Sequence, residues 1–80
     1  MGTVLWFGKV KFVIYAKDHE PAHAHIIHTA ENAEAKLNLV DWSVISSRGF
    51  SQWDLNRFIK YAKENYNSLI EEWRRFHEEN

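Results

Sequence analysis

The hydrophobic period of this 80-residue chain changes once along its length, and that change limits the folds open to it. Up to about residue 45, apolar and polar residues alternate with a period of two, which is typical of strands with one buried face. Beyond residue 50 the period is about 3.5, which is typical of an amphipathic helix. We therefore expect one α+β domain over residues 1–80, with a sheet half (1–45) followed by a helical half (50–79).

The sheet half is expected to contain about four short antiparallel strands packed against the helical half. The predicted strands are residues 3–7, 9–16, 23–29 and 33–40. Gly8 favours a tight hairpin turn between the first two strands, because glycine accepts a positive φ. Residues 41–48 mix apolar side chains with serines and fit either a short strand or a loop. The sequence leaves the strand order open.

The helical half carries one continuous apolar stripe. Ser51 fits the N-cap position, and Asp54 three residues later gives a weakened capping box. The residues of the stripe are Leu55, Ile59, Ala62, Tyr66, Leu69, Trp73 and Phe76. One straight helix of about 28 residues would be about 42 Å long and would overhang so small a domain. A kinked helix or two helices with a break near Asn65 is therefore favoured, whereas a straight rod would leave apolar surface for a second copy of the chain.

Composition narrows the function classes. Ten basic and eleven acidic residues give a net charge of −1, so the chain as a whole does not attract nucleic acid or an anionic membrane. It contains no cysteine, which excludes disulfides and thiolate chemistry. A signal peptide and an apolar run long enough to span a membrane are also not found in the sequence. We therefore expect a cytoplasmic protein that makes no membrane contact.

Four of the five histidines fall within residues 18–28, and this cluster is the main functional signal in the chain. Histidine binds metals and transfers protons near neutral pH, so packing alone rarely explains such clustering. Alternation along the third strand places His23 and His25 side by side on its exposed face, with Glu34 and Lys36 of the next strand beside them. We expect an exposed working surface here.

A divalent metal ion, with Zn²⁺ as the first candidate, is the cofactor that this cluster predicts. Same-face positions on a strand lie about 6.5–7 Å apart, which lets His23 and His25 reach one ion. His19 or Asp18 in the preceding loop would add a third ligand and water a fourth, as in an open zinc site.

Catalysis without a metal is an alternative. Two histidines would act as general acid and base, and a nearby cation would stabilise developing negative charge, as in small ribonucleases. The candidate catalytic residues and cations are His19, His23, His25, Lys36 and Arg48.

A purely structural role is a further alternative, in which His19 and His23 hydrogen-bond the loop around Pro21 and fix its shape. Two other histidines carry less weight. His28 falls on the opposite face of the third strand and is expected to be half-buried with its hydrogen bonds satisfied. His77 lies in the last predicted helical turn, where a cation interacts favourably with the helix dipole, and no chemistry is assigned to it.

Basic side chains offer a second candidate surface. They would form a patch for single-stranded RNA if the outer sheet face and the first helical segment lie together, with Tyr15 or Trp53 as stacking surfaces. The basic residues concerned are Lys9, Lys11, Lys17, Lys36, Arg48, Arg57, Lys60 and Lys63. Because nearby glutamates balance these charges, an ordinary solvated surface is the alternative.

The histidine run and the helical tail resemble a known family. The run Asp18-His19-x-Pro21-x-His23-x-His25 is similar to the D-H-x-P-P-H-x-H signature of DUF4160, a widespread family of small prokaryotic domains of unknown function. In that family the signature precedes a strand, and a C-terminal helix carries an alanine, a leucine and a late tryptophan. Further matching residues here are Glu34, Ala35, Lys36, Ala62, Leu69 and Trp73.

The resemblance implies site residues and a role, although it supplies no reaction. The signature selects Asp18, His19, Pro21, His23 and His25, while Ala22 replaces its second proline. It implies a component of a two-gene, toxin–antitoxin-like module that binds a partner protein or RNA through the histidine loop and the adjacent sheet face. The expected binding residues are Asp18, Pro21, Lys36 and Arg48. The alternatives are a small histidine- or metal-dependent nuclease and a homodimeric interaction protein.

Overall fold

The computed structural model describes residues 2–77, and its secondary structure follows the change of hydrophobic period. Within these residues, five strands precede two helices. The elements are β1 Gly2–Phe7, β2 Val10–Ile14, β3 His23–His28, β4 Glu34–Asn38, β5 Val44–Arg48, α1 Gln52–Glu64 and α2 Tyr66–His77. The predicted α+β class is confirmed, and the ambiguous stretch 41–48 contributes the fifth strand.

The strands form one antiparallel sheet in the order β1-β2-β3-β4-β5. Each strand therefore pairs with its sequence neighbours, as short connections favour. The predicted turn at Gly8 joins β1 to β2. Gly8 has a φ of 61°, which glycine adopts without steric cost. The register places Phe12 opposite Ile26 and Ile26 opposite Ala35. Since directly opposed residues share a face, these three side chains define the inner face of the sheet.

The inner face packs against both helices to form the core. Phe12, Ile26 and Leu37 are at most 1% exposed, and they belong to the same apolar cluster as Leu69 and Trp73 of α2. The opposite, outer face carries the alternate residues of each strand. An antiparallel sheet of this kind needs only one apolar layer to be stable.

The break between the helices falls at Asn65, as the sequence predicts. Ser51 caps α1 by accepting a hydrogen bond from the Asp54 N–H at 3.1 Å, and the Asn65 side chain donates to the Tyr61 carbonyl at 2.9 Å. Folding at this break turns the apolar stripe towards the sheet, so that Leu69 is fully buried. Neither helix within residues 2–77 has the length and apolar character needed to cross a membrane.

Candidate metal centre

The connection between β2 and β3 brings an acidic side chain over the start of β3. Asp18 lies in this connection, and its N–H donates to the Tyr15 carbonyl at 3.3 Å. The Glu20–Pro21 peptide bond in the same connection is cis. Asp18 lies near His23, the first residue of the strand that follows.

Three side chains converge at this point. Oδ2 of Asp18 lies 3.1 Å from Nε2 of His23 and 2.9 Å from Nε2 of His25. The ligand atoms that the three residues offer all lie within 4.8 Å of one another. In a tetrahedral site with bonds of about 2.0–2.1 Å, ligand atoms are about 3.3 Å apart. The two separations from Asp18 are close to this spacing, and they are also hydrogen-bond distances.

The other nitrogen of each ring faces an oxygen acceptor. Nδ1 of His23 lies 2.8 Å from the Pro21 carbonyl oxygen, and Nδ1 of His25 lies 3.2 Å from Oε2 of Glu34. Each of these contacts is a hydrogen bond only if Nδ1 carries the proton. A proton on Nδ1 leaves the lone pair on Nε2, directed at Asp18. This is the tautomer that a metal-ligating histidine adopts when a second group holds its outer nitrogen.

A count of hydrogen-bond donors shows why a cation fits here. A neutral imidazole has one N–H, yet both nitrogens of His23 and both nitrogens of His25 face oxygen acceptors. With the proton of each ring on Nδ1, each Nε2 lone pair faces the Asp18 carboxylate with no hydrogen between them. A cation at this point, either a second proton on each ring or one metal ion bound to all three atoms, makes these contacts attractive. One divalent ion supplies the same charge as the two protons.

Both histidines are buried, which corrects the prediction of an exposed working surface. His23 is 8% exposed and His25 is 7% exposed. They do lie side by side, with ring centroids 5.3 Å apart. However, Tyr15 packs edge-on against His25 at 4.6 Å, and Trp73 packs against His23 at 5.5 Å. Alternation gives the face on which a residue lies, but it does not show that a loop and a helix end cover that part of the face.

The last residue of α2 joins the site, which sequence reasoning missed. Nε2 of His77 lies 2.7 Å from the backbone oxygen of Asp18, and Nδ1 lies 2.8 Å from the Trp73 carbonyl. The ring also stacks on Trp73, with centroids 3.8 Å apart. The end of α2 therefore contacts the loop that carries Asp18. The available signal was the i, i+4 spacing of Trp73 and His77 on the side of the helix that faces the sheet.

His19 and His28 do not belong to the candidate ligand group within the described residues. His19 is exposed. The sequence left the third ligand open between His19 and Asp18, and within residues 2–77 the candidate ligand group contains Asp18. His28 is half-buried, as expected, and its Nδ1 accepts the N–H groups of Ala30 and Glu31, each at 3.1 Å.

The remaining predicted residues border the centre. Pro21 contributes its carbonyl oxygen to His23. Lys36 pairs directly with His25 across the β3–β4 ladder. Arg48 on β5 lies 4.0 Å from Oε1 of Glu34, the same carboxylate that faces His25.

Comparisons with known proteins place the chain in a family without giving it an activity. A family model described as "Domain of unknown function (DUF4160)" matches residues 9–74, a range that includes Asp18, His23 and His25. No curated protein and no solved structure matches the chain.

Proposed function

Because the chain belongs to the DUF4160 family, whose description assigns no function, we propose from its own geometry that it binds one divalent metal ion at Asp18, His23 and His25. The observation that carries the proposal is the pair of Nε2–Oδ2 contacts, at 3.1 and 2.9 Å, made by rings whose Nδ1 atoms already face acceptors. Two imidazoles and a carboxylate suit Zn²⁺ and also Fe²⁺. We take Zn²⁺ as the first candidate.

Three protein ligands define what such a centre would do. A structural zinc site is closed by four protein ligands, whereas a site with three leaves a position for water. Metal-bound water is the nucleophile of hydrolytic zinc sites. The nuclease alternative thus takes a specific form, in which the Asp18 centre would hold the attacking water. Hydrolysis of an RNA substrate that needs added metal and is lost in Asp18→Asn would support it.

Equilibrium metal binding by untagged protein tests the proposal directly. We expect one Zn²⁺ per chain, measured by competition with a chromogenic chelator. Asp18→Asn keeps the shape of the side chain but removes its charge, and it should weaken binding more than about 100-fold, since loss of an outer-shell partner alone costs about 10–100-fold. His28→Gln is the matched control, because His28 lies outside the centre.

Two outcomes of the zinc titration would contradict the metal proposal. Wild-type protein that takes up no zinc would contradict the proposal, as would Asp18→Asn protein that binds as tightly as wild type. Cobalt substitution gives a second readout, because the visible absorption of Co²⁺ reports a low-symmetry nitrogen and oxygen ligand set and would disappear in the variant.

We also retain, as a proposal, the cytoplasmic interaction role in a two-gene, toxin–antitoxin-like module. It rests on what the resemblance described in the sequence analysis implies, and the test is co-purification with the product of an adjacent short gene. The homodimer alternative has less support from the described residues. Leu69 of the apolar stripe is fully buried, and the edge strands β1 and β5 each pair with a register shift, which disfavours edge-to-edge association. Sedimentation over a range of concentrations tests it.

A further inference from the structure

A row of outward-facing side chains crosses the sheet on its outer face. The strand register gives this row as Trp6, Lys11, Ile27, Glu34 and Arg48. Directly opposed residues project from the same face, so an aromatic ring stands at one end of the row and a guanidinium at the other. With neighbouring strands about 4.8 Å apart, the two ends are about 19 Å apart.

Both ends of this row are accessible. Trp6 is 55% exposed, and the Arg48 side chain is 61% exposed. The core contacts of the helices lie on the opposite face, where Phe12 and Ile26 are at most 1% exposed. An exposed tryptophan has no role in that core, and its large flat ring is available for contact with a ligand.

A shallow cavity lies at the Arg48 end of the row. It has a volume of about 240 Å³ and is lined by Glu34, Lys36, Ser46, Ser47 and Arg48. Two cations and two hydroxyl groups in one cleft can donate several hydrogen bonds to an oxyanion. The carboxylate of Glu34 is already engaged, because Oε2 lies 3.2 Å from Nδ1 of His25 and Oε1 lies 4.0 Å from the guanidinium.

We propose that the outer sheet face binds a single-stranded nucleic acid. Lys36 and Arg48 contact its phosphates in the cleft, Lys11 contacts a phosphate nearer the middle of the sheet, and one base stacks on Trp6. Cationic side chains beside an exposed aromatic ring are the combination that binds such strands without strong sequence preference. A folded acidic protein would engage the cations but would gain nothing from base stacking.

The cations of this surface border the candidate metal ligands but are not among them. Neither Lys36 nor Arg48 belongs to the Asp18, His23 and His25 group, so the proposed binding does not require the ion. If the metal centre is hydrolytic, the adjacent cleft would bind its substrate, which would be a phosphodiester. Asp18→Asn protein should retain nucleic-acid binding, which separates failure of this proposal from failure of the metal proposal.

Fluorescence anisotropy with a short labelled oligouridine tests the cationic cleft. The double variant Lys36→Ala with Arg48→Ala should bind at least about tenfold more weakly. Each lost phosphate contact lowers the slope of log K against log salt by about 0.7, so the slope should fall by about 1.4. The matched control removes two exposed cations of α1, Lys60→Ala with Lys63→Ala, and should leave both quantities unchanged.

Substitution of each of two exposed tryptophans tests the stacking contact, with one variant as the control for the other. Trp6 is 55% exposed on the sheet, and Trp53 is 68% exposed on α1. Trp6→Ala should weaken binding about tenfold, in the range measured for one stacked base, whereas Trp53→Ala should not. Trp6→Leu, which keeps an apolar side chain, gives the same comparison if the alanine variant does not fold.

Several outcomes would overturn the proposal. These are no binding of oligouridine by wild type at low salt, equal losses in the Lys60 and Lys63 control, and equal losses for Trp6→Ala and Trp53→Ala. A parallel titration with oligothymidine identifies the strand type. Equal affinity for both places recognition at phosphate and base, whereas tighter RNA binding adds a contact to the 2′-hydroxyl.

Discussion

The two faces of β3 are both buried, but different neighbours bury them. On the inner face Ala24 and Ile26 are at most 1% exposed and pack in the apolar core under the helices. On the outer face His23 and His25 are 8% and 7% exposed and lie against oxygen atoms of the β2–β3 connection and of β4. Trp73 of the core also packs against the His23 ring, with centroids 5.5 Å apart, so the low exposure of these histidines reflects polar and aromatic neighbours together. The oxygen atoms beside the two rings distinguish the outer side of β3 from its apolar inner side.

The contrast also has an energetic side. Apolar contacts on the inner face gain free energy simply by leaving water. Polar groups on the outer face must replace the hydrogen bonds that they had in water, and a charged group must find a partner as well. The proposed metal ion between Asp18 and the two rings would provide that compensation, so we expect the outer side of β3 to respond to metal and the inner side not to.

The largest expected effect tests the inner side. Ile26→Ala should lower the free energy of unfolding by about 3 kcal/mol, because removing buried methyl groups leaves a cavity in the core. Urea denaturation followed by tryptophan fluorescence measures this change. Ile45→Ala removes the same atoms at a position that is 47% exposed and should cost far less. Equal costs would mean that the inner face of β3 does not anchor the core.

The second effect tests the outer side. Glu34→Gln replaces the carboxylate that faces Nδ1 of His25 with a neutral amide, which weakens the orientation of that ring. Zinc affinity should fall about 10–100-fold, the usual cost of losing an outer-shell partner. Glu31→Gln in the exposed turn after β3 is the control. Unchanged affinity in Glu34→Gln would mean that this carboxylate does not support the centre.

The third effect concerns the helix end that covers the outer side. His77→Phe keeps a ring that can stack on Trp73 but removes the ring nitrogen that lies 2.7 Å from the Asp18 carbonyl oxygen. We expect zinc affinity to fall less than about tenfold, because the ligands themselves are retained. Isothermal titration calorimetry measures the affinity, and His28→Phe controls for the loss of a histidine. A larger loss of zinc affinity in the His28→Phe control would mean that His77 does not support the metal centre.

Sequence reasoning succeeded where the determinants are local. The change of period predicts sheet then helix, Ser51 predicts the start of α1, and the mismatch between a long rod and a small domain predicts the break at Asn65. Alternation also assigns the correct face to Phe12 and to His25. Each of these features depends on residues close in sequence or on overall size.

Sequence reasoning failed where distant segments meet. The burial of His23 depends on Trp73, and the placement of the Asp18 loop involves His77, which is 59 residues away. Which of Asp18 and His19 joins the candidate ligand group depends on the path of a loop that no periodic pattern describes. The strand β5 was ambiguous for another reason, because an edge strand with Ser46 and Ser47 needs few apolar residues.

The smallest expected effect concerns an ion pair on α2, Glu72 with Arg75, which serves as a reference for the contacts of Asp18. The side chain of Arg75 donates two hydrogen bonds to Glu72, at 3.1 and 2.9 Å, and these lower the pKa of the Glu72 carboxyl below its usual range. Because the folded-state pKa is lowered, the pair stabilises the fold above about pH 4.3, and this contribution is lost as the pH falls through the folded-state pKa.

Glu72→Gln should therefore lower the free energy of unfolding at neutral pH by about 0.3–0.5 kcal/mol, the usual range for a helix-surface pair. The difference from wild type should shrink to zero in acid. Urea denaturation at several pH values, completed as a double-mutant cycle with Arg75→Gln, isolates the pair from the other contacts of the arginine. A difference that persists at low pH would assign the effect to packing. Only a pH-dependent loss makes this pair a valid reference for an ion pair with one exposed partner, the Arg75 side chain, against which the contacts of Asp18 with the buried His23 and His25 can be compared.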